Sequence, residues 1–128
     1  MKYLTFLSFV LLFALYACKD SEVSSSEFKS GTYNYIAYDT IGTITTTGSL
    51  LLTRSDTKIS GTWNFNDGSS GDLIGKIDKD NIELELYPGY VDHNLSLSGK
   101  LSNNTIAGDW IKYGWALLGR GTFLASTK

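Results

Sequence analysis

GKIDKDNIELEL, starting at Gly75, aligns without a gap to GKLSNNTIAGDW, starting at Gly99. GSLLLTRSDTKISGTW, from Gly48, is a looser copy with four extra residues. Each copy is an alternating run, a short polar turn and a second alternating run. A hairpin repeated in chain order describes a meander. In KISGTWNFN, Ile59, Gly61, Trp63 and Phe65 share one side, opposite Lys58, Ser60, Thr62 and Asn64. NIELELY sets Ile82, Leu84 and Leu86 against Glu83 and Glu85; HNLSLSGKLS sets Leu95, Leu97, Gly99 and Leu101 against Asn94, Ser96, Ser98 and Lys100. A period of two with one apolar side belongs to antiparallel strands that have one dry face.

Extending this reading predicts eight strands, at 32–39, 43–54, 57–66, 70–78, 81–87, 93–102, 105–113 and 116–125. The expected fold is all-β, a small up-and-down barrel that leaves no exposed edge; a two-sheet sandwich is the alternative. Glycines at 61, 75, 99, 108, 119 and 121 fall inside predicted strands, where a small barrel needs sharp bends. The two ends differ. RSDT, DKDN and SNNT are compact polar connections suited to tight turns, whereas DTIGT, NDGSS, YPGYVDH and YGW are longer and richer in aromatics.

The chain opens with MKYLTFLSFVLLFALYA, residues 1–17, in which Lys2 precedes a run of apolar residues from Tyr3 to Tyr16. The run is shorter than the roughly 20 residues that span a bilayer, and reads as a signal-peptide core. It ends in Leu15-Tyr16-Ala17-Cys18, which resembles the lipobox of bacterial lipoproteins. That resemblance implies acylation of the Cys18 thiol, cleavage before it, and a lipid-anchored mature chain. Cys18 is the single cysteine, so it has no disulfide partner within the chain. Residues 18–30 then read as the lipidated cysteine and a flexible serine-rich linker, and 31–128 as the barrel domain. Lys19-Asp20-Ser21-Glu22 is similar to acidic export signals of surface lipoproteins in one group of Gram-negative bacteria. The expected location is the outer membrane, on the cell surface or facing the periplasm.

Once Lys2 is removed, 10 basic residues face 13 acidic ones. No basic block could follow a phosphate backbone, so nucleic acid is not an expected partner. The folded domain has no electrostatic pull toward anionic lipid, and two or three acyl chains would hold it to the membrane.

Ile59-Ser60-Gly61-Thr62-Trp63 and Ile106-Ala107-Gly108-Asp109-Trp110 look like hairpins of the calycin-type barrels, which include avidins and lipocalins. The Gly-x-Trp that opens lipocalins stands here as Gly31-Thr32-Tyr33. The resemblance implies a small, mostly apolar ligand in the barrel mouth.

Catalytic patterns are sparse, and an enzyme is not expected. His93 is the one histidine, beside Asp92, with no serine in a nucleophile-elbow motif. Glu83 and Glu85 lie opposite the aliphatics and read as a solvated face rather than a cleaving pair. Asp78 and Asp80 with Asn81 form too short a loop for calcium. No cofactor or metal is implied. Arg120 shares a strand face with Leu118 and Leu124: on an internal face it is a buried charge that needs an anionic partner, on an external face ordinary surface.

The remaining candidates are aromatic. Phe65, Tyr87, Tyr90, Tyr113 and Trp115, with His93 and Arg120, are the expected ligand-binding residues at the loop-rich end. Aromatics there can stack on a ring or anchor a protein, or can plug the barrel top as core. The expected function is non-catalytic binding of a small apolar or glycan-like ligand. The alternative is a protein-interaction lipoprotein, an inhibitor or accessory subunit of an envelope complex, with a filled barrel.

Overall fold

The alternation closes into a barrel. The computed structural model describes residues 27–90 and 92–128. In that range the elements are β1 (Gly31–Tyr38), β2 (Ile44–Ser55), β3 (Lys58–Phe65), β4 (Ser70–Asp78), β5 (Asn81–Glu85), β6 (Asn94–Ser102), β7 (Thr105–Tyr113) and β8 (Leu117–Thr127). Each strand pairs antiparallel with the next, and β8 closes on β1 through Tyr33↔Thr127 to Tyr38↔Thr122. The sandwich alternative is thereby set aside. Cys18 and the segment before Glu27 lie outside the described residues.

The tight end is built by local chemistry. Asp56, Lys79, Asn103 and Asn104 have positive φ, the backbone twist that two-residue hairpin turns require and that Asn and Asp tolerate best. Below the loop-rich end the inward rows are apolar. Tyr33, Leu50, Leu52, Ile59, Leu73, Ile82, Leu84, Leu97 and Ile106 fill the axis and are almost fully buried. Each such aliphatic contributes about 1.5–3 kcal/mol of transfer free energy. The outer wall is mostly polar and charged, with Lys76 and Glu83 paired at 3.1 Å and single exposed aliphatics such as Leu51 and Ile74 among them. This is the reverse of a lipid-facing barrel, which is apolar outside.

The inward glycines act by removing a clash. A Cβ on Gly61 would stand 2.9 Å from the Leu51 carbonyl carbon and nearer still to its oxygen. Gly108, at the matching place in the repeat, would press on Ser98 and Gly99. Neighbouring strands cross these points too closely for any side chain.

The linker expectation needs one correction. Phe28 is buried and stacks on Tyr33, ring centroids 5.9 Å apart, while the Tyr33 hydroxyl donates to the Lys29 carbonyl at 2.7 Å. The folded unit therefore begins before Gly31, because an open barrel floor exposes apolar ends that an aromatic can seal. Phe28→Ala should lower stability by about 3 kcal/mol, measured by urea unfolding. Ser30 Oγ also accepts from the Arg54 amide at 3.0 Å. The chain thus enters at the tight-turn end, and Lys128 leaves there, its amide bonded to the Thr32 carbonyl at 3.3 Å.

Candidate functional site

Toward the loop-rich end the interior opens. Trp63 on β3 and Trp110 on β7 occupy opposite walls and are held by one device. The Trp63 ring lies against Gly71 of β4, and its indole N–H donates past it to the Leu86 carbonyl at 2.7 Å and to the Asp72 carbonyl at 3.1 Å. The Trp110 ring lies against Gly119 and Gly121 of β8, and its N–H donates to the Tyr38 carbonyl at the end of β1, 2.8 Å away. Each tryptophan crosses a glycine-lined strand and ties off a carbonyl on the far side, where the ladders run out.

Against Trp110 lies a cleft of about 220 Å³, the mouth, while Trp63 lines a separate one. The mouth's apolar surfaces come from Tyr35, Phe65, Tyr87, Leu95 and Trp110. Rings continue through the floor: Tyr35 stacks on Phe65 at 5.3 Å, Phe65 meets Trp63 at 4.6 Å, and Trp63 meets Tyr87 edge-on at 5.0 Å. Tyr35 is only 1 % exposed, yet no residue of the described chain hydrogen-bonds its hydroxyl. The one fully enclosed polar side-chain atom without a partner among the described residues is Asn94 Oδ1. The Tyr35 hydroxyl is thus not sealed in, and opens on the cleft that Tyr35 lines.

The rim is polar. In β2 Thr45 is an extra residue, since Ala37 pairs with Thr46 and Tyr38 with Ile44. This bulge brings Thr45 and Thr46 together to the mouth. Asp67 accepts from the Ser69 amide at 2.8 Å and the Ser69 hydroxyl at 2.5 Å. Those bonds, helped by nearby Lys112, hold its carboxyl below the ordinary range. Lys112 follows Ile106, Gly108 and Trp110 on the inward row of β7 and lines the same cleft.

Burial raises the Tyr35 pKa well above the usual tyrosine value. Burial also raises that of Tyr33, against a lowering by the bond to Lys29, and that of Tyr87, with a further push from Asp67. A phenol held more tightly in the folded state stabilises fully below its unfolded pKa, about 10, and that contribution is lost as pH rises through the folded value. Stability should therefore fall above about pH 10, and Tyr35→Phe should flatten the fall in urea titrations across that range.

The expected site residues separate. Phe65 and Tyr87 line the mouth. Tyr87, Tyr90 and His93 line a second cleft of about 400 Å³ beside it, with His93 edge-on to Tyr87 at 4.9 Å. Tyr113 and Trp115 belong to neither: Trp115, at the β7–β8 tip, is 92 % exposed. Arg120 lies on the outer wall beside Asp39 and Asp109, so its external reading applies. Its row, with exposed Leu118 and Leu124, faces outward because Phe123 and Ala125 take the inward one.

Tyr35, Thr45, Thr46, Asp67, Ser69 and Lys112 were not legible as site residues. Only two had a signal. Tyr35 alternates with buried Tyr33 and Ala37, and Lys112 continues an inward row past its apolar part.

Among the described residues no group of three or more His, Cys, Asp or Glu could hold a metal ion. The cleft presents one donor at depth, ring faces at mid-height and hydroxyls with one anion and one cation at the lip. Compared with family models, curated proteins and solved structures, the chain matches none of them, so the function is read from the mouth itself.

Proposed function

We propose that this chain is a lipid-anchored lipoprotein of the outer membrane whose barrel mouth is a non-catalytic binding site for a glycan-like ligand. One observation carries the ligand: the unpartnered Tyr35 hydroxyl in an aromatic cleft with a polar rim. A sugar ring has an apolar C–H face and a girdle of hydroxyls, and the mouth offers the complement of both. A purely aliphatic ligand fits less well. It would have to displace side chains along the axis and would leave the phenol without a partner, at a cost of about 1–3 kcal/mol. Attachment at Cys18 would place the tight-turn end toward the membrane and the mouth away from it.

The test is calorimetric titration of the lipoprotein, in detergent, with neutral sugars and with a medium-chain fatty acid. Sugars should bind and Tyr35→Phe should weaken them by roughly 2- to 10-fold, the worth of one hydrogen bond. Binding of the fatty acid alone contradicts the reading. For the anchor, Cys18→Ser should abolish labelling by radioactive palmitate; a normally labelled variant contradicts acylation there.

A second reading rests on the β7–β8 tip, where Trp115, Leu117 and Leu118 are exposed together. Such a tip suits a protein partner, and capture of an envelope protein that Trp115→Ala abolishes would favour it.

A further inference from the structure

Tyr87 lines both clefts, the mouth on one side and the wider cleft on the other. We infer that the ligand is a chain of at least two ring units straddling Tyr87, one unit in the mouth and the next in the outer cleft. This rests on the reading of the mouth as a glycan site.

The outer cleft follows from the sequence YPGY. Tyr87-Pro88-Gly89-Tyr90 has proline second and glycine third; Gly89 has φ +89° and the Tyr90 amide bonds the Tyr87 carbonyl at 3.3 Å. That is a type II turn, and it peels the chain away from β4. The β4–β5 ladder accordingly stops at Ile74↔Glu85, while β4 stays paired to β3 as far as Ser70. Residues 70–73 are thus left without a neighbour strand on one side.

Within the gap, the Asp72 carbonyl accepts from Trp63 rather than from a strand. The N–H and C=O of one strand residue point the same way, so the Asp72 amide faces the gap too, and the ladder gives it no partner. Beside it are the polar side chains of Ser70 and Asp72, and the rings of Tyr87, Tyr90 and His93. The outer cleft therefore repeats the mouth's chemistry: ring faces, hydroxyl and carboxylate groups, and an unsatisfied donor. Tyr90 is 66 % exposed, a ring held in water at a cleft edge. With Tyr87 as the shared wall, two linked rings can contact it from both sides.

The test is calorimetry on the whole lipoprotein with glucose, cellobiose and cellotriose, and with maltose and maltotriose for the other linkage. In the linkage that fits, the two-ring sugar should bind about tenfold tighter than glucose, the worth of one further stacking contact. Tyr90→Ala should bring the two-ring sugar down to the affinity of glucose, whereas Tyr35→Phe should weaken every member. Equal affinity for one and two rings in both linkages overturns the inference and spares the mouth. So does Tyr90→Ala weakening glucose as much as the dimer. No binding by any member overturns both.

Discussion

Gly61→Ala is expected to cost the barrel about 3 kcal/mol, at the upper end of overpacking penalties. For a domain of this size that lowers the melting midpoint by roughly 12 °C or more. The methyl group would meet backbone, the Leu51 carbonyl and Leu52 Cα, and not a side chain that can turn aside. Either the β2–β3 ladder opens or the curvature changes, and both spread to Leu50 and Leu52 in the core. Gly119 is the control. A Cβ there meets only the edge of the Trp110 ring, at 3.2 and 3.3 Å, so Gly119→Ala should cost no more than about 1 kcal/mol. Thermal melts by circular dichroism separate the two. Equal midpoints would mean that close strand approach does not set the curvature at Gly61.

Trp63→Ala is the larger loss, about 4 kcal/mol, as for other buried aromatics cut to alanine. Two effects combine. The ring packs on Phe65 and Tyr87 and covers Gly71, so its removal opens a cavity. Its N–H serves the carbonyls of Leu86 and Asp72, where the β4–β5 ladder has already ended. Trp63→Phe isolates the second effect: most of the ring stays and both carbonyls lose their donor, for about 1–3 kcal/mol. Trp110→Phe removes the same kind of bond to Tyr38, but at a half-buried site where water can replace it. It should cost less than Trp63→Phe in urea unfolding. The reverse order would show that the two tryptophans do not share one role.

The strands were legible where their period of two is unbroken. Ile82, Leu84 and Leu86 against Glu83 and Glu85 admit one face inward, and each predicted strand overlaps an observed one. The polar turns were legible for a similar reason, since Asn103-Asn104 suits positive φ. The mouth was harder to read. The bulge at Thr45 is a property of register between two strands, and nothing in ITTTGS marks which threonine is extra. Asp67 and Ser69 read as turn residues, which they are; that the turn overhangs a cleft follows only from closure. Arg120 shows the limit of parity. Glycines at 119 and 121 leave the inward row without side chains beside Arg120, so Leu118 and Leu124 on the outer row mark its facing no better than Phe123 and Ala125 mark the inner one. Its inward glycines are empty because Trp110 covers them.

The proposal puts binding in the mouth against Trp110. Three tryptophan indole N–H groups report on it from different places: Trp110 on the cleft wall, Trp63 behind the lining rings of Phe65 and Tyr87, and Trp115 at the exposed tip. Their cross-peaks can be followed in nitrogen–proton correlation spectra of the labelled lipoprotein in micelles during titration with the best-binding sugar of the series above. The Trp110 signal should move most, Trp63 should move with it at the same midpoint, and Trp115 should stay in place. Movement of Trp115 with Trp110 and Trp63 still would put binding on the hairpin tip and contradict the account.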